Sequence, residues 1–407
     1  MSNAIGRLSN EFTQFGLPAM TDGLHCPLNP VAMKQITLSL LSLTLAANIF
    51  AKGSPGPPTA ASAYLKAPKT GGLKFNKAGN LHAGPFGLLL VAEAAGSIVA
   101  IDTGDRGVFK PLIGSVPDIS KKIASALGAK SVTVNDLAVN PETGTIYLST
   151  QRSDGLSTIL TVNAAGKLSA LDTEKVQWVR AKLNEKLRIS RIADLGLATG
   201  RILVAGQSND AFRSRIFSLP LPLASGTAGN TYSTDTYHVA HRRWETKAPI
   251  QSFVLYEQEG APYMVGSFAC TPIAKFPLEN LADNGQVKGT SVLELGSGNR
   301  PVDMFTYKSG GKSWLVTHTM RFHKPFAYTP SKFWAARIDM KHIAVSAKDK
   351  TNEKATRRDR NVAKDPQGIE VVETLHGAIQ VDKYGDQQAA VLREREGKLD
   401  LEIVQLP

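Results

Sequence analysis

The sequence predicts an all-β fold, a β-propeller of six or seven blades with short inserted helices. Six short apolar segments, each preceded by a polar turn, recur along the chain. They are LLLVA (88–92), IYLST (146–150), RILVAG (201–206), PYMVGS (262–267), SWLVT (313–317) and QAAVL (388–392). Their spacing of about fifty to seventy residues is typical of four-stranded blades that carry insertions.

Most of these segments are followed by a second apolar segment that ends in a short stretch containing Asp or Pro. Examples are SIVAIDTGD (97–105), RIFSLPLP (215–222), IAKFPLENL (273–281) and FWAARID (333–339). They predict the next strand of the same blade. A propeller predicts where a site lies, at one mouth of the central channel, but not the chemistry of that site.

Residues 33–51, MKQITLSLLSLTLAANIFA, have the features of a secretory signal peptide. Lys34 precedes an apolar run at 36–47, which is too short for a membrane span because a span needs about 20 apolar residues. We expect residues 1–32 to be a mis-annotated upstream segment and the mature chain to begin near Lys52, in the periplasm or outside the cell. A buried strand or helix at 36–47 is the alternative.

A Pro- and Gly-rich linker is predicted at 52–72, followed by a single propeller domain at 73–407. The chain has 407 residues, 42% of them hydrophobic, and two cysteines. Cys26 lies upstream of the predicted cleavage site, which leaves Cys270 alone. A lone cysteine cannot form an intramolecular disulfide, so we expect the stability to come from the sheets and the core.

The chain carries a net charge of +12, and seven of its basic residues lie in the segment 348–364. We interpret this segment as a solvated loop. Docking of an anionic glycan, a lipid headgroup or an acidic partner is the alternative. Nucleic acid is excluded as the expected partner because no aromatic side chains are interleaved with these charges.

Two inserted helices are predicted from their apolar stripes. Residues 118–127 follow Pro117, begin at Asp118 and end before Gly128. Residues 173–187 place four apolar side chains on one helical face. We expect both helices to pack over a face of the propeller.

A candidate metal site lies in YHVAHRRWETKAPI, residues 237–250. His238, His241 and Glu245 follow the spacing H-x2-H-x3-E and offer two imidazoles and one carboxylate, a set that suits Zn, Cu, Fe or Ni. The three side chains share a face on a helix, whereas on a strand the two histidines point to opposite sides. Loop histidines bonded to backbone carbonyls are the alternative interpretation.

Cys270 is a second candidate ligand, at the end of a predicted strand in FACTPIAKF (268–276). If it joins the two histidines, the donor set favours copper or zinc over calcium. A buried, inert thiol is the alternative.

GSGNRPVDMF, residues 296–305, carries Asn299, Arg300 and Asp303. Arg300 is predicted to hold an anionic ligand. Asp136, Asp194 and Asp382 recur before apolar strands as Asp303 does, and they either ring the channel as oxygen ligands or act as turn formers that bond backbone amides. His318 and His323 are weaker ligand candidates.

Five phrases resemble exported bacterial β-propeller proteins, broadly similar to SMP-30/NHL-like and YVTN-like propellers. These are DLAVNPETGTIYLS (136–149), VAGQSNDAF (204–212), YHVAHRRWET (237–246), CTPIAKFPLENL (270–281) and GNRPVDMF (298–305). The resemblance covers most of 73–407 and implies the fold, but it supplies no catalytic residues. The calcium-ligand pattern of propeller lactonases is not recognisable, and GxSxG, HExxH and P-loop motifs are absent from the sequence.

We therefore expect an exported propeller whose functional mouth is built from the loops at 207–212, 237–246, 268–272 and 298–303. The leading hypothesis is a metal-centred site that acts on or binds a small molecule or glycan, with hydrolytic, lyase or oxidative chemistry left open. Its metal ligands are His238, His241, Glu245 and Cys270, and its ligand-binding residues are Arg300, Asn299, Asp303 and Asn209. The alternatives are a calcium-dependent lactonase-like hydrolase using Asp136, Asp194, Asn209 and Asp303, and a non-catalytic protein- or glycan-binding scaffold.

Overall fold

A computed structural model describes residues 60–407, except 95, 199, 212, 228, 270, 271, 282–284, 297, 323–329, 346–350 and 360. The predicted signal peptide, Cys270 and His323 lie outside the described residues.

Six sheets form six blades, and each blade contributes one inner strand to a closed ring. The strands pair antiparallel, except for one parallel outer strand each in the sheets of blades 3 and 4. The inner strands, which number the blades in chain order, are Ala78–Ala83, Val132–Val139, Ile189–Ala198, Ile250–Gln258, Asn299–Ser309 and Ala378–Tyr384. The space that they enclose is called the channel below. The propeller prediction is confirmed, with six blades.

All six apolar segments that predicted the repeat are the second strands of their blades: Leu88–Glu93, Ile146–Arg152, Arg201–Ser208, Ala261–Phe268, Lys312–Arg321 and Gln388–Arg395. The third strands are Ser97–Asp102, Ser157–Val162, Ser214–Pro220, Pro272–Pro277, Phe333–Asp339 and Lys398–Gln405. The remaining outer strands are Lys69–Thr70, Leu168–Ala170, Gln177–Lys182, Asn230–His238, Arg243–Glu245, Gly285–Lys288, Thr290–Glu294, Thr356–Arg357, Lys364–Asp365 and Ile369–Val371. Leu65–Lys66 and Leu223–Ala224 form a separate parallel pair.

The blades do not follow one another around the ring in chain order. The inner strand of blade 1 packs against those of blades 2 and 3, and the inner strand of blade 2 packs against those of blades 1 and 6. The ring order is therefore 2-1-3-4-5-6. After blade 2 the chain returns to blade 1, where Gln177–Lys182 pairs antiparallel with Ser97–Asp102, and only then forms blade 3.

The first predicted helix is confirmed as Ile119–Ala126, with Ile119 and Ile123 buried. The second prediction is wrong, because residues 173–187 contain the strand Gln177–Lys182 and a 3-10 turn, Glu185–Leu187. Pairing with the open edge of blade 1 satisfies the backbone there and overrides the helical pattern of apolar residues. The other 3-10 turns are Ala61–Tyr64, Pro85–Gly87, Leu278–Leu281, Met340–His342 and Glu373–Leu375.

The end of the predicted linker 52–72 belongs to the folded domain. Ala61 is fully buried, Leu65 pairs with Leu223, and Lys69–Thr70 pairs with Gln177–Lys182. Apolar burial thus begins about a dozen residues before the predicted boundary.

The basic segment 348–364 is only in part the solvated loop that we predicted. Thr356–Arg357 pairs with the outer edge of blade 4, and Arg358 is buried with its guanidinium 5.0 Å from the Trp334 ring centroid. The described chain contains no helix whose length and apolar character suit a membrane crossing.

Candidate functional site

The four segments predicted to build the mouth lie at one end of the sheets, called the upper face here. Inner strands begin at this face, and the second strands, being antiparallel, end there at Ser208 and Phe268. The backbone amide of Arg213 donates to the Thr246 carbonyl at 3.0 Å, which ties two of these segments together. Their described residues therefore share this face, and that they build one functional mouth stays a prediction.

A tight hairpin at this face brings His238, His241 and Glu245 together. His238 ends the outer strand Asn230–His238 of blade 3, and Glu245 lies on the return strand, where it pairs with Thr236. The amide of His241 donates to the His238 carbonyl at 3.1 Å, which closes the turn. One ligand atom from each of the three side chains lies within 4.8 Å of the other two. A hairpin turn, rather than a helix, therefore places the donors on one side.

The distance between His238 and Glu245 suits a shared metal ion, whereas His241 and Glu245 are joined by a direct hydrogen bond. The Nδ1 atom of His238 lies 3.5 Å from Oε1 of Glu245, and Nδ1 of His241 lies 2.8 Å from the same oxygen. Two ligands bound to tetrahedral zinc at about 2.0–2.1 Å are separated by roughly 3.3 Å. His238 is only 4% exposed, and within the described residues its Nδ1 has no hydrogen-bond partner. A buried imidazole nitrogen without a partner is unfavourable unless an ion or water occupies the gap.

Burial by itself raises the pKa of Glu245, but the hydrogen bonds from His241 and Arg243, together with the nearby His238, outweigh it and hold that pKa below its usual range. The carboxylate is therefore ionised at neutral pH, which is the form that binds a metal. His241 is half exposed, so the cluster opens to solvent on one side.

Glu294, which the sequence analysis missed, lies on the other side of His238. Its Oε1 is 3.5 Å from His238 Nε2 and accepts the Ala240 amide at 3.2 Å. Glu294 lies beside His238 because the chain crosses between two blades here. Gly285–Lys288 pairs with the outer strand of blade 3, and Thr290–Glu294 then pairs with blade 4. The cluster thus lies at the outer junction of blades 3 and 4, and not at the mouth of the channel where we predicted the metal site, because its residues belong to outer strands.

The inner strands are connected by polar side chains across the blade junctions. Asp136 accepts the Leu81 amide at 2.8 Å, and Asp382 accepts the Val139 amide at 2.8 Å. Asp194 accepts the Phe253 amide at 2.8 Å. Asn80 and Gln380 complete the set by donating to the carbonyls of Ala193 and Asn135. We call these five the interblade polar residues. The interpretation of the recurring aspartates as amide-bonding groups is confirmed for three of them, although the amides belong to the neighbouring blade.

Asp303 is the exception among the four inner-strand aspartates. Within the described part of the chain, its carboxyl accepts only the amide of the next residue, Met304, at 2.8 Å. Its remaining acceptor positions face a cavity of about 480 Å³ in the channel, which Asp136, Asp194 and Asp382 also line.

Burial in the channel raises the pKa of these carboxyls, and repulsion from neighbouring carboxylates adds to the effect for Asp136, Asp303 and Asp382. The pKa of Asp136 rises to about 8, that of Asp382 to about 7 and that of Asp194 to about 6. The pKa of Asp303 is raised well above its usual value for the same reasons. Burial likewise lowers the pKa of His82, which lines this cavity, to about 4.

The residues of the calcium hypothesis come together only in part. Asp136, Asp194 and Asp303 meet in the channel, but Asn209 lies in the exposed turn after Ser208 at the upper face. Calcium prefers ionised carboxylates and carbonyl oxygens. Asp136 and Asp194 instead use oxygens for backbone amides, and the raised pKa of Asp136 favours its protonated form at neutral pH.

Asn299 and His318, two further predicted ligand residues, are buried and form hydrogen bonds within the fold. Asn299 is buried, donates to the Gly296 carbonyl at 3.0 Å and accepts from the Trp334 indole at 3.1 Å. His318 is buried and its Nε2 lies 2.7 Å from the Ala378 carbonyl of blade 6. Burial lowers the pKa of His318 to about 4, so it is a neutral residue of the core.

Arg300 is half-buried on the inner strand of blade 5, where its Nε donates to Gln251 of blade 4 at 3.0 Å. It therefore lies at a junction between blades and not in a surface turn. The terminal nitrogens of its guanidinium have no hydrogen-bond partner in the described chain.

No family model matches this chain, and no curated protein matches it. The chain is similar to the β-propeller domain of Cps50 (Swd1) from Myceliophteria thermophila, at 10% identity and a TM-score of 0.34, covering 81% of this chain and 84% of that one. It is also similar to a Thermus thermophilus protein described as a putative oxidoreductase (glucose dehydrogenase), at 12% identity and a TM-score of 0.30, covering 82% of this chain and 98% of that one. Likeness at this level carries no argument about function, and the resemblance to SMP-30/NHL-like or YVTN-like propellers stays a prediction.

Proposed function

We propose that this propeller binds a transition-metal ion, copper or zinc, through His238, His241 and Glu245. The observation that carries the proposal is the buried Nδ1 of His238, which lacks a hydrogen-bond partner in the described chain and lies 3.5 Å from the Glu245 carboxylate. Two imidazoles and one carboxylate fill three positions and leave a fourth for water or a substrate oxygen.

A metal with an open position polarises a bound water or substrate oxygen, which permits hydrolytic, lyase or oxidative chemistry on a small molecule. The half-exposed ring of His241 marks the side from which a ligand approaches. Cys270 stays a predicted additional metal ligand, because it lies outside the described residues, and the open position described above is the one left by His238, His241 and Glu245 alone.

The calcium-dependent hydrolase is the less favoured alternative, because the channel aspartates connect blades through amides. The scaffold alternative predicts no metal at all. Elemental analysis of untagged, full-chain protein separates the three hypotheses. Close to one equivalent of copper or zinc supports the metal centre, and calcium supports the hydrolase. A protein that contains none of these metals supports the scaffold.

The variant that tests the assignment is His241→Ala, with His342→Ala as the control. His342 contacts the Gln367 carbonyl on blade 5, away from the cluster. His241→Ala should lose most of the bound metal and keep the melting temperature of the metal-free protein, whereas His342→Ala should retain the metal. Equal metal content in both variants rules out the site.

Export remains part of the proposal and is tested separately. The signal peptide at 33–51 predicts a mature N-terminus near Lys52. Mass spectrometry of the exported protein that finds residues 1–32 intact contradicts it, without bearing on the metal centre.

A further inference from the structure

Arg243 projects from the same face of the hairpin as two of the proposed metal ligands. It pairs directly with His238 across the two antiparallel strands, and Glu245 lies two residues further along its own strand. Directly paired residues share a face, and so do residues two apart on one strand. The opposite face carries Tyr237 and Trp244, whose ring centroids are 5.6 Å apart. Arg243 therefore belongs to the side of the hairpin on which the metal is proposed to bind.

Arg243 contacts the carboxylate of the cluster directly. Its Nε donates to Oε1 of Glu245 at 3.1 Å. The same oxygen lies 2.8 Å from Nδ1 of His241 and 3.5 Å from Nδ1 of His238. The guanidinium thus lies beside the ligand oxygen that both imidazoles approach.

The outer edge of the Arg243 guanidinium is open for a ligand. Within the described chain, its terminal nitrogens have no hydrogen-bond or ion-pair partner. The side chain is 70% exposed, so solvent reaches this edge. A planar guanidinium presents parallel N–H groups that match two oxygens of a carboxylate or a phosphate. The bond through Nε orients the group and leaves that outer edge for an anion.

The charge of the site also favours an anion. A divalent ion bound by two neutral imidazoles and one carboxylate keeps a net positive charge. Arg243 adds a positive charge beside it, and the neighbouring Arg242 is exposed and has no ion-pair partner among the described residues. Glu294 does not neutralise the open side, because it lies on the other side of the His238 ring and accepts the Ala240 amide.

We propose that the metal centre takes an oxyanion, the carboxylate or phosphate group of a small molecule, and that Arg243 selects it. One oxygen of this group binds at the open metal position, and the other oxygens accept hydrogen bonds from the terminal nitrogens of Arg243. The half-exposed His241 marks the open side of the cluster. This inference rests on the proposed function, because the metal and the arginine hold the anion together.

The experiment uses full-chain protein that is loaded with zinc and freed of excess metal, with its zinc content determined before each titration. Inorganic phosphate and acetate are the probes in isothermal titration calorimetry. At least one of them should bind the zinc form with one equivalent per chain, and should bind the metal-free form about ten-fold more weakly or less. The tighter probe distinguishes a phosphate ligand from a carboxylate ligand.

Arg243→Gln should weaken anion binding to the zinc form by about ten-fold or more, because charged hydrogen bonds are lost. Arg243→Lys keeps the charge without the planar fork and should also bind more weakly than the wild type. The matched control is Arg242→Gln, whose native side chain forms no hydrogen bond or ion pair in the described chain. It should change the affinity by less than about three-fold, because salt screens an exposed charge that makes no contact. Equal affinities in Arg243→Gln and Arg242→Gln overturn the proposal.

Two further measurements separate anion binding from other roles of Arg243. Arg243→Gln should keep one equivalent of zinc, and loss of the zinc would show that Arg243 acts only by positioning Glu245. Without an anion, its melting temperature should equal that of the wild type, since an exposed ion pair adds little stability. A clear loss of thermal stability would show a structural arginine and contradict the proposal.

The zinc content distinguishes the failure of this inference from the failure of the proposed function. A wild-type protein that holds no zinc contradicts the metal centre, and the anion site with it. A zinc-loaded wild type that binds neither anion, or binds them equally well without zinc, contradicts the anion site alone.

Discussion

Asp194 of blade 3 accepts the backbone amide of Phe253 of blade 4 at 2.8 Å, and so joins two neighbouring inner strands without a continuous sheet. The same carboxyl accepts the Ser252 hydroxyl at 2.7 Å. Corresponding bonds link blade 2 to blade 1 and blade 6 to blade 2. Asp136, Asp194 and Asp382 thus connect neighbouring blades. Asp303, the fourth channel aspartate, differs because none of its described hydrogen bonds reaches another blade.

Asp194→Ala should lower the free energy of unfolding by about 2–4 kcal/mol, because it leaves a buried amide and a hydroxyl without their acceptor. Asp303→Ala is the matched comparison, since it removes one bond within its own strand and should cost about 1 kcal/mol or less. Denaturant unfolding of both variants measures the difference. Equal losses would show that the interblade bond adds no stability.

The free energy of unfolding should depend on pH through the ionisation of Asp136. Burial raises its folded pKa to about 8, above the ordinary value of 3.8, so its contribution is fully present below pH 4 and is lost as the pH rises towards 8. Asp136→Asn stays neutral and keeps an oxygen for the Leu81 amide. The stability of the wild type relative to Asp136→Asn should therefore fall between about pH 4 and pH 8.

Unfolding free energies of both proteins across this range provide the measurement. A constant difference between them would mean that Asp136 ionises at the same pH in the folded and unfolded chains.

The strand content was predictable because the second strand of each blade is buried on both faces and reads as a continuous apolar run. All residues of Leu88–Glu93, for example, are buried. The same reasoning failed at 173–187, where Val176, Val179 and Leu183 fit a helical stripe although the segment completes the edge of blade 1. A local pattern does not reveal an unpaired edge that lies about eighty residues earlier in the chain.

The candidate site was predictable to the extent that its residues are close in sequence. His238, His241 and Glu245 lie within one hairpin, so their spacing was sufficient to group them. Glu294 was not predicted because its position beside His238 depends on the path of the chain between blades. The repeat pattern limited the number of blades to six or seven, but it carries no information about their order, so it did not predict the exchange of blades 1 and 2 around the ring.

Removal of the N-terminal segment tests where the domain begins. A chain that starts at Ala60 should be as stable as one that starts at Lys52. A chain that starts at Leu73 loses the burial of Ala61 and Leu65 and should be less stable by about 2–4 kcal/mol. Thermal and denaturant unfolding of the three chains measure this, and equal stability would place 60–72 outside the cooperative unit.

Glu294→Gln should weaken metal binding without abolishing it. With the metal on Nδ1 of His238, the opposite ring nitrogen faces the Glu294 carboxylate at 3.5 Å, and a carboxylate in this position orients the imidazole and raises its basicity. Loss of such a partner costs about 10–100-fold in metal affinity. Glu353→Gln is the control, because Glu353 contacts the Tyr237 hydroxyl beside the cluster rather than a ligand. Competition with a chromophoric zinc chelator measures the affinities. Unchanged affinity in Glu294→Gln would show that His238 needs no carboxylate behind it, and complete loss would make Glu294 itself a metal ligand that bridges blades 3 and 4.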